Sequence, residues 1–110
     1  MDPDVARAIL SRVVESLPHV RQRPQMYFNP VTPEAVKYWL HGLQFGMGMA
    51  EVEWSHDALQ AAWARRGIEL SATTNLIDEL DRQGKSSDEI AITLIEIEEE
   101  MWQGRLGELT

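Results

Sequence analysis

Apolar residues recur at helical spacing in five stretches of the chain. In the first, Val5, Ile9, Val13 and Leu17 form a stripe with Ala6, Leu10 and Val14 beside it. Asp2 suits an N-cap, Pro3 fits the first helical position and Asp4 complements the helix dipole, so a helix is predicted over Pro3–Leu17, ended by Pro18. Residues 18–31 hold Pro18, Pro24 and Pro30 and read as an irregular connector, pinned to the core by Met26 and Phe28. A second helix starts with Thr32 as cap, Pro33 and Glu34, and turns Val36, Trp39, Leu40, Leu43 and Met47 inward. Gly42 and Gly46 lie four apart in it, which predicts a neighbouring helix close against that bare face; Gly48 is expected to weaken its end.

Asp57–Arg66 forms the third predicted helix, capped by Ser55 or His56 and closed by Gly67, with Ala58, Leu59, Ala62 and Trp63 inward. Ile68-Glu69-Leu70 alternates like a strand but has no partner strand, so it reads as an extended linker. The fourth helix covers Thr74 to Gln83, with Leu76, Ile77 and Leu80 inward and Gly84 as a left-handed cap. The fifth is the best specified. Ser86 and Glu89 make a capping box, Ile90, Leu94, Ile97 and Met101 form a stripe, and Gly104 is expected to end it. These elements predict an all-α, compact single domain over residues 1–110, with about five helices in an orthogonal or bundle-like array.

Composition supports that reading. A chain of 110 residues with 44% hydrophobic and 25% charged side chains suits one globular domain. Cysteine is absent, which excludes disulfides, thiolate metal sites and thiol catalysis. The acidic start Met1-Asp2-Pro3-Asp4, without an apolar run after it, predicts a cytoplasmic protein with no membrane contact. The net charge of −8 is uneven: residues 1–50 carry five basic and four acidic side chains, residues 51–110 five basic and fourteen acidic. So acidic a half repels phosphate backbones, which argues against a nucleic-acid partner and for a basic protein partner.

Candidate chemistry is thin. Glu53-Trp54-Ser55-His56 has the Glu-x-x-His spacing of di-metal bundles, but it stands alone at a helix boundary. Glu96-x-x-Glu99 resembles the magnesium-binding motif of all-α nucleotide pyrophosphatases, whose second acidic pair is here matched only by Asp78-Glu79-x-Asp81, in the wrong chain order. The run Glu96, Glu98, Glu99, Glu100 is therefore read as a solvated helix face, available for partner docking. Leu80 to Ala91 resembles the opening of helix-turn-helix units, yet its second helix runs on into glutamates that would face phosphates. No nucleophile elbow or phosphate loop occurs. No catalytic residue, cofactor or metal is predicted.

Val20-Arg21-Gln22-Arg23-Pro24-Gln25-Met26-Tyr27-Phe28 resembles a segment near the start of the ATPase domain of type II topoisomerase B subunits. That family needs a Glu and an Asn on the following helix, where this chain reads Leu40-His41-Gly42-Leu43-Gln44, so ATP binding is not implied. With Ile95, Glu96, Glu98 and Trp102, the same segment is similar to small bacterial helical proteins, some of them thought to be immunity proteins of toxin systems. That resemblance implies a binding protein that neutralises a toxin. Its bland counterpart is that Pro24, Met26 and Tyr27 only fix the connector against the core. Trp39, Trp63 and Trp102 fall on apolar stripes, whereas Trp54 lies among charges and is the expected exposed anchor. The candidate partner-binding residues are Arg21, Arg23, Tyr27, Trp54, Glu96, Glu99 and Glu100. The alternatives are a self-associating domain, a homodimer using Trp54 and the glycine face of the second helix, and a metal-dependent all-α enzyme.

Overall fold

The computed structural model describes residues 2–70 and 74–110. The fold is all-α. Among the described residues five helices run in the order α1 (Pro3–Gln22), α2 (Pro33–Met49), α3 (His56–Ala64), α4 (Leu76–Arg82) and α5 (Ser87–Glu108), with a 3-10 turn over Pro24–Met26. Each start is capped by a side chain, as expected for α1, α2, α3 and α5, while α4 begins at Leu76 behind Asn75 rather than at Thr74. Asp2, Thr32, Ser55 and Asn75 accept from backbone amides of the first turns, and Ser86 with Glu89 completes the capping box of α5. Gly67 and Gly84 adopt positive φ, 65° and 87°, where the sequence places helix stops.

The centre of the fold is α5, against which the other four helices pack. Its buried residues, among them Ile90, Leu94, Ile95, Ile97, Met101 and Trp102, cover well over half of its circumference, and the strip of Ile92, Glu96, Glu100 and Gln103 is less buried. Two cores form along it. One gathers Val20, Phe28, Val36, Leu40, Leu80 and Leu94; the other gathers Leu10, Leu17, Met47, Val52, Met101 and Trp102. Leu40 meets the first core with Leu94, and Met47 the second with Met101, so α2 runs in the same direction as α5. The opposite holds for α1: Arg7 Nε donates to the Leu109 carbonyl at 3.1 Å, whereas Arg21 meets Glu99.

Several local expectations fail, each for a packing reason. Pro18 does not end α1, which continues to Gln22. Pro18 offers the Val14 carbonyl no N–H, but Leu17 and Val20, three apart, are both buried, and their burial holds the last turn in place. Met26 does not pin the connector, for it is largely exposed; Phe28 does, buried and edge-on to Trp39 at 5.7 Å. Trp39 itself sits at the rim rather than in the core. The end of α2 does fall where expected, at Met49 one residue past Gly48, and the reversal comes at Glu51, with φ of 63°. There Val52 N donates to the Met47 carbonyl at 2.8 Å and its side chain enters the second core.

Gly104 lies within α5 rather than at its end, and the helix continues four residues further. Its role is spatial. A Cβ at this position would stand 2.6 Å from the Ala58 Cβ, so α3 and α5 touch at a point that only glycine permits. Gly104→Ala would therefore destabilise the fold by about 1–3 kcal/mol in urea unfolding, despite the better helix propensity of alanine. Ala58→Gly in the same chain should restore part of that loss, and equal stability of Gly104→Ala and the parent would refute the contact.

Candidate functional site

Consecutive residues on a helix project about 100° apart, so the glutamates at 98, 99 and 100 aim at three different neighbours. Glu99, on the α1 side, is buried and accepts from Arg21 Nε at 2.6 Å. That ion pair, strengthened by nearby Glu96, raises the Arg21 pKa, the hydrogen bond to Glu99 being the main cause. On the α3 side Glu100 accepts from Arg65 Nε at 2.7 Å and also pairs with Arg66, and these arginines, Arg66 first, hold its carboxyl below the usual range. Glu79, buried in α4, pairs with Arg82.

Glu98 differs. Only 4% exposed, it accepts from Gln44 Nε2 of α2 and from Trp102 Nε1 of its own helix, each at 2.8 Å. Both donors are neutral. Burial pushes the Glu98 carboxyl up to about 7, against the pull of the two hydrogen bonds. Glu98 also belongs to the wall of a largely apolar cleft of about 400 Å³, set between α2, α3, α4 and α5. Leu40, Leu59, Trp63, Ile77 and Ile97 make most of that wall, and Lys37 and His41 stand on the α2 side. The indole N–H of Trp63 is buried without an acceptor.

A second surface occupies the outer side of α2. Tyr38, Phe45 and Met49 stand at i, i+7 and i+11, on one helical face, and are 68%, 72% and 74% exposed. The expected neighbour at Gly42 and Gly46 is not there: a Cβ on either would meet nothing within 4 Å. The two glycines are shallow places between the large side chains. Apart from Glu34 and Lys37 in the first turns, α2 carries no Asp, Glu, Lys or Arg.

The residues predicted for partner contact are therefore dispersed. Arg21, Glu96 and Glu99 come together where α1 meets α5, and Glu100 lies across α5 with Arg65 and Arg66. The reading of residues 96–100 as a solvated face is corrected: Glu98 and Glu99 are buried, and arginines from α1 and α3 are brought over Glu99 and Glu100. Arg23 is exposed at the α1 C-terminus, and Tyr27 is about half exposed beside it. Trp54 is exposed too, its ring edge-on to His56 at 5.6 Å. Sequence reasoning missed Tyr38, Phe45 and Met49, whose signal was helical spacing on the side opposite the core stripe. It also missed Glu98 and Gln44; the i, i+4 spacing of Glu98 and Trp102 was the available cue.

Among the described residues no three His, Asp or Glu side chains converge as a metal site, and no helix is long and apolar enough to cross a membrane. Comparison with protein-family models, curated proteins and solved structures gave no match.

Two tests follow. Arg21→Ala strands the buried Glu99 carboxylate and should cost about 1–3 kcal/mol of stability. Combined with Glu99→Leu the loss should be smaller than the two single losses added, and simple additivity would deny the coupling. For Glu98 the sign is set by a folded pKa near 7 above an ordinary value of 4.5. The folded chain keeps a proton that the unfolded chain releases between those values, so this contribution is complete at low pH and fades as pH rises toward 7. The stability of the parent minus that of Glu98→Gln should fall by roughly 3 kcal/mol across that window. The opposite trend of Glu100 is common to both proteins and cancels; a flat or rising difference would refute the assignment.

Proposed function

We propose that the protein is a helical protein-binding domain that docks through the outer side of α2, with a second copy of the chain as occupant. The observation that carries this reading is the exposed strip of Tyr38, Phe45 and Met49 interleaved with bare Gly42 and Gly46. Large exposed apolar side chains in a row are unusual on a protein that stays monomeric. Here the strip is also self-complementary. In an antiparallel helix pair with its two-fold axis between Leu43 and Gln44, Phe45 of one copy lies over Gly42 of the other. Tyr38 then meets Met49, and His41 meets Gly46. An isologous contact requires this kind of pairing of a surface with itself.

Charge supports the same choice. On a chain of net charge −8, two copies repel unless they meet where charge is sparse, and α2 is such a place. One helix face is a small area beside the roughly 1,200–2,000 Å² of a stable interface, so the association should be weak and concentration-dependent.

A basic partner protein, such as the toxin that the immunity-protein resemblance implies, is the second reading. It is favoured by Trp54, exposed beside Glu53 and Asp57 just beyond the end of the strip. Salt separates the two readings: it weakens attraction to a basic protein but leaves an apolar self-contact intact or stronger.

Sedimentation of the parent from micromolar to millimolar concentration should show a monomer–dimer equilibrium that added salt does not dissolve. Phe45→Asp should be monomeric at every concentration and as stable as the parent, since Phe45 makes little contact with the core. A parent that remains monomeric throughout would sink the self-association reading.

A further inference from the structure

We propose that the cleft between α2, α3, α4 and α5 is a binding site for a small apolar molecule carrying one ammonium group, with Glu98 as its counter-charge. The proposal stands apart from the outer face of α2 and does not depend on it. Its starting point is a contrast among the buried and half-buried carboxyls. Glu79, Glu99 and Glu100 each face at least one arginine, whereas Glu98, as deeply buried as any of them, has only the neutral donors Gln44 and Trp102. A buried carboxylate without a cation is costly and is commonly matched by one. The described walls of the cleft supply one lysine, Lys37, whose ammonium instead stands 5.7 Å from the centre of the Tyr38 ring.

The cleft has the size and character to hold the missing cation together with an apolar body. Its volume of about 400 Å³ lies in the range of small-molecule sites, about 300–1,000 Å³. Leucine, isoleucine and tryptophan side chains from α2, α3, α4 and α5 form most of its lining. A carboxylate has roughly four lone-pair positions, and Gln44 and Trp102 use two, one on each oxygen. They fix the carboxyl plane and leave an acceptor direction on each oxygen. An ammonium there would gain a charge-assisted hydrogen bond in a place poor in water. The ligand class is therefore an arylalkyl or alkyl amine rather than a carboxylic acid or a phosphate, both of which Glu98 would repel.

Phenethylamine and its neutral counterpart phenethyl alcohol are suitable probes, with the indole N–H signals of Trp63 and Trp102 as reporters in NMR titration. Phenethylamine should shift both signals saturably and bind at least several-fold more tightly than the alcohol. Its apparent affinity should fall about tenfold for each pH unit below 7, as Glu98 takes up its proton. The other titratable groups facing the cleft from α2 are Lys37 and His41, so His41→Gln must keep most of the pH dependence. The described lining of α3 and α4 adds no titratable group. Binding near pH 6 should release a proton to the buffer, measurable by calorimetry on the parent protein without any variant.

Glu98→Gln, if folded by its far-ultraviolet spectrum, should lose preference for the amine over the alcohol. Equal or better binding of the alcohol to the parent would overturn the proposal. So would no saturable shift with either probe, or amine binding without proton release. Because these readouts use monomeric protein below its association range, a failed α2 interface would not mimic any of them.

Discussion

The whole arrangement depends on enclosing α5. Its neighbours cover most of its circumference and leave only the strip of Ile92, Glu96, Glu100 and Gln103 less buried, yet Glu98 and Glu99 stand on the covered side. Each carboxyl taken from water must find hydrogen bonds or a cation on the helix opposite it. That requirement fixes the neighbours: α1 must present Arg21, α3 must present Arg65 and Arg66, and α2 must present Gln44. The polar contacts set the register of these helices because a slip of one residue would leave a carboxylate unmatched in the interior.

Two consequences reach the surface. With the inner side of α2 committed to Val36, Leu40, Gln44 and Met47, its outer side holds whatever the sequence puts at the remaining positions. Those positions are Tyr38, Phe45 and Met49, not the lysines and glutamates that usually cover an outward helix face. The acidic surplus of residues 51–110 is also smaller at the surface than in the sequence, since Glu79, Glu98 and Glu99 are buried. The protein therefore presents less carboxylate and more apolar surface than its composition suggests.

Helix starts were legible because capping is local chemistry. Asp2, Thr32, Ser55 and the Ser86–Glu89 box each act within three residues of themselves, and the stops at Gly67 and Gly84 depend on one backbone angle. What was not legible depended on partners distant in sequence. Pro18 and Gly104 carry the local signature of helix ends, but Val20 in one case and Ala58 in the other give the chain a reason to continue. The glutamate run looked solvated because charge usually is, and nothing near it in sequence announces Arg21, seventy-eight residues away from Glu99. Gly42 and Gly46 were read as a close contact on helix propensity alone, which cannot tell a glycine that admits a neighbour from one that faces open space.

Glu98 shows where folding requirements stop. The ion pairs of Glu99 and Glu100 help to orient α1 and α3, so their cost in desolvation is offset by register. Glu98 orients Gln44 and Trp102, but an uncharged glutamine could accept one of those bonds without the penalty of a buried charge. At neutral pH the carboxyl is poised between its two forms, so the folded protein holds there a group whose charge a small change in surroundings would decide. Stability does not ask for such a group beside an apolar cleft. A ligand that brings its own positive charge does, because it turns a buried carboxyl that faces only neutral donors into half of an ion pair.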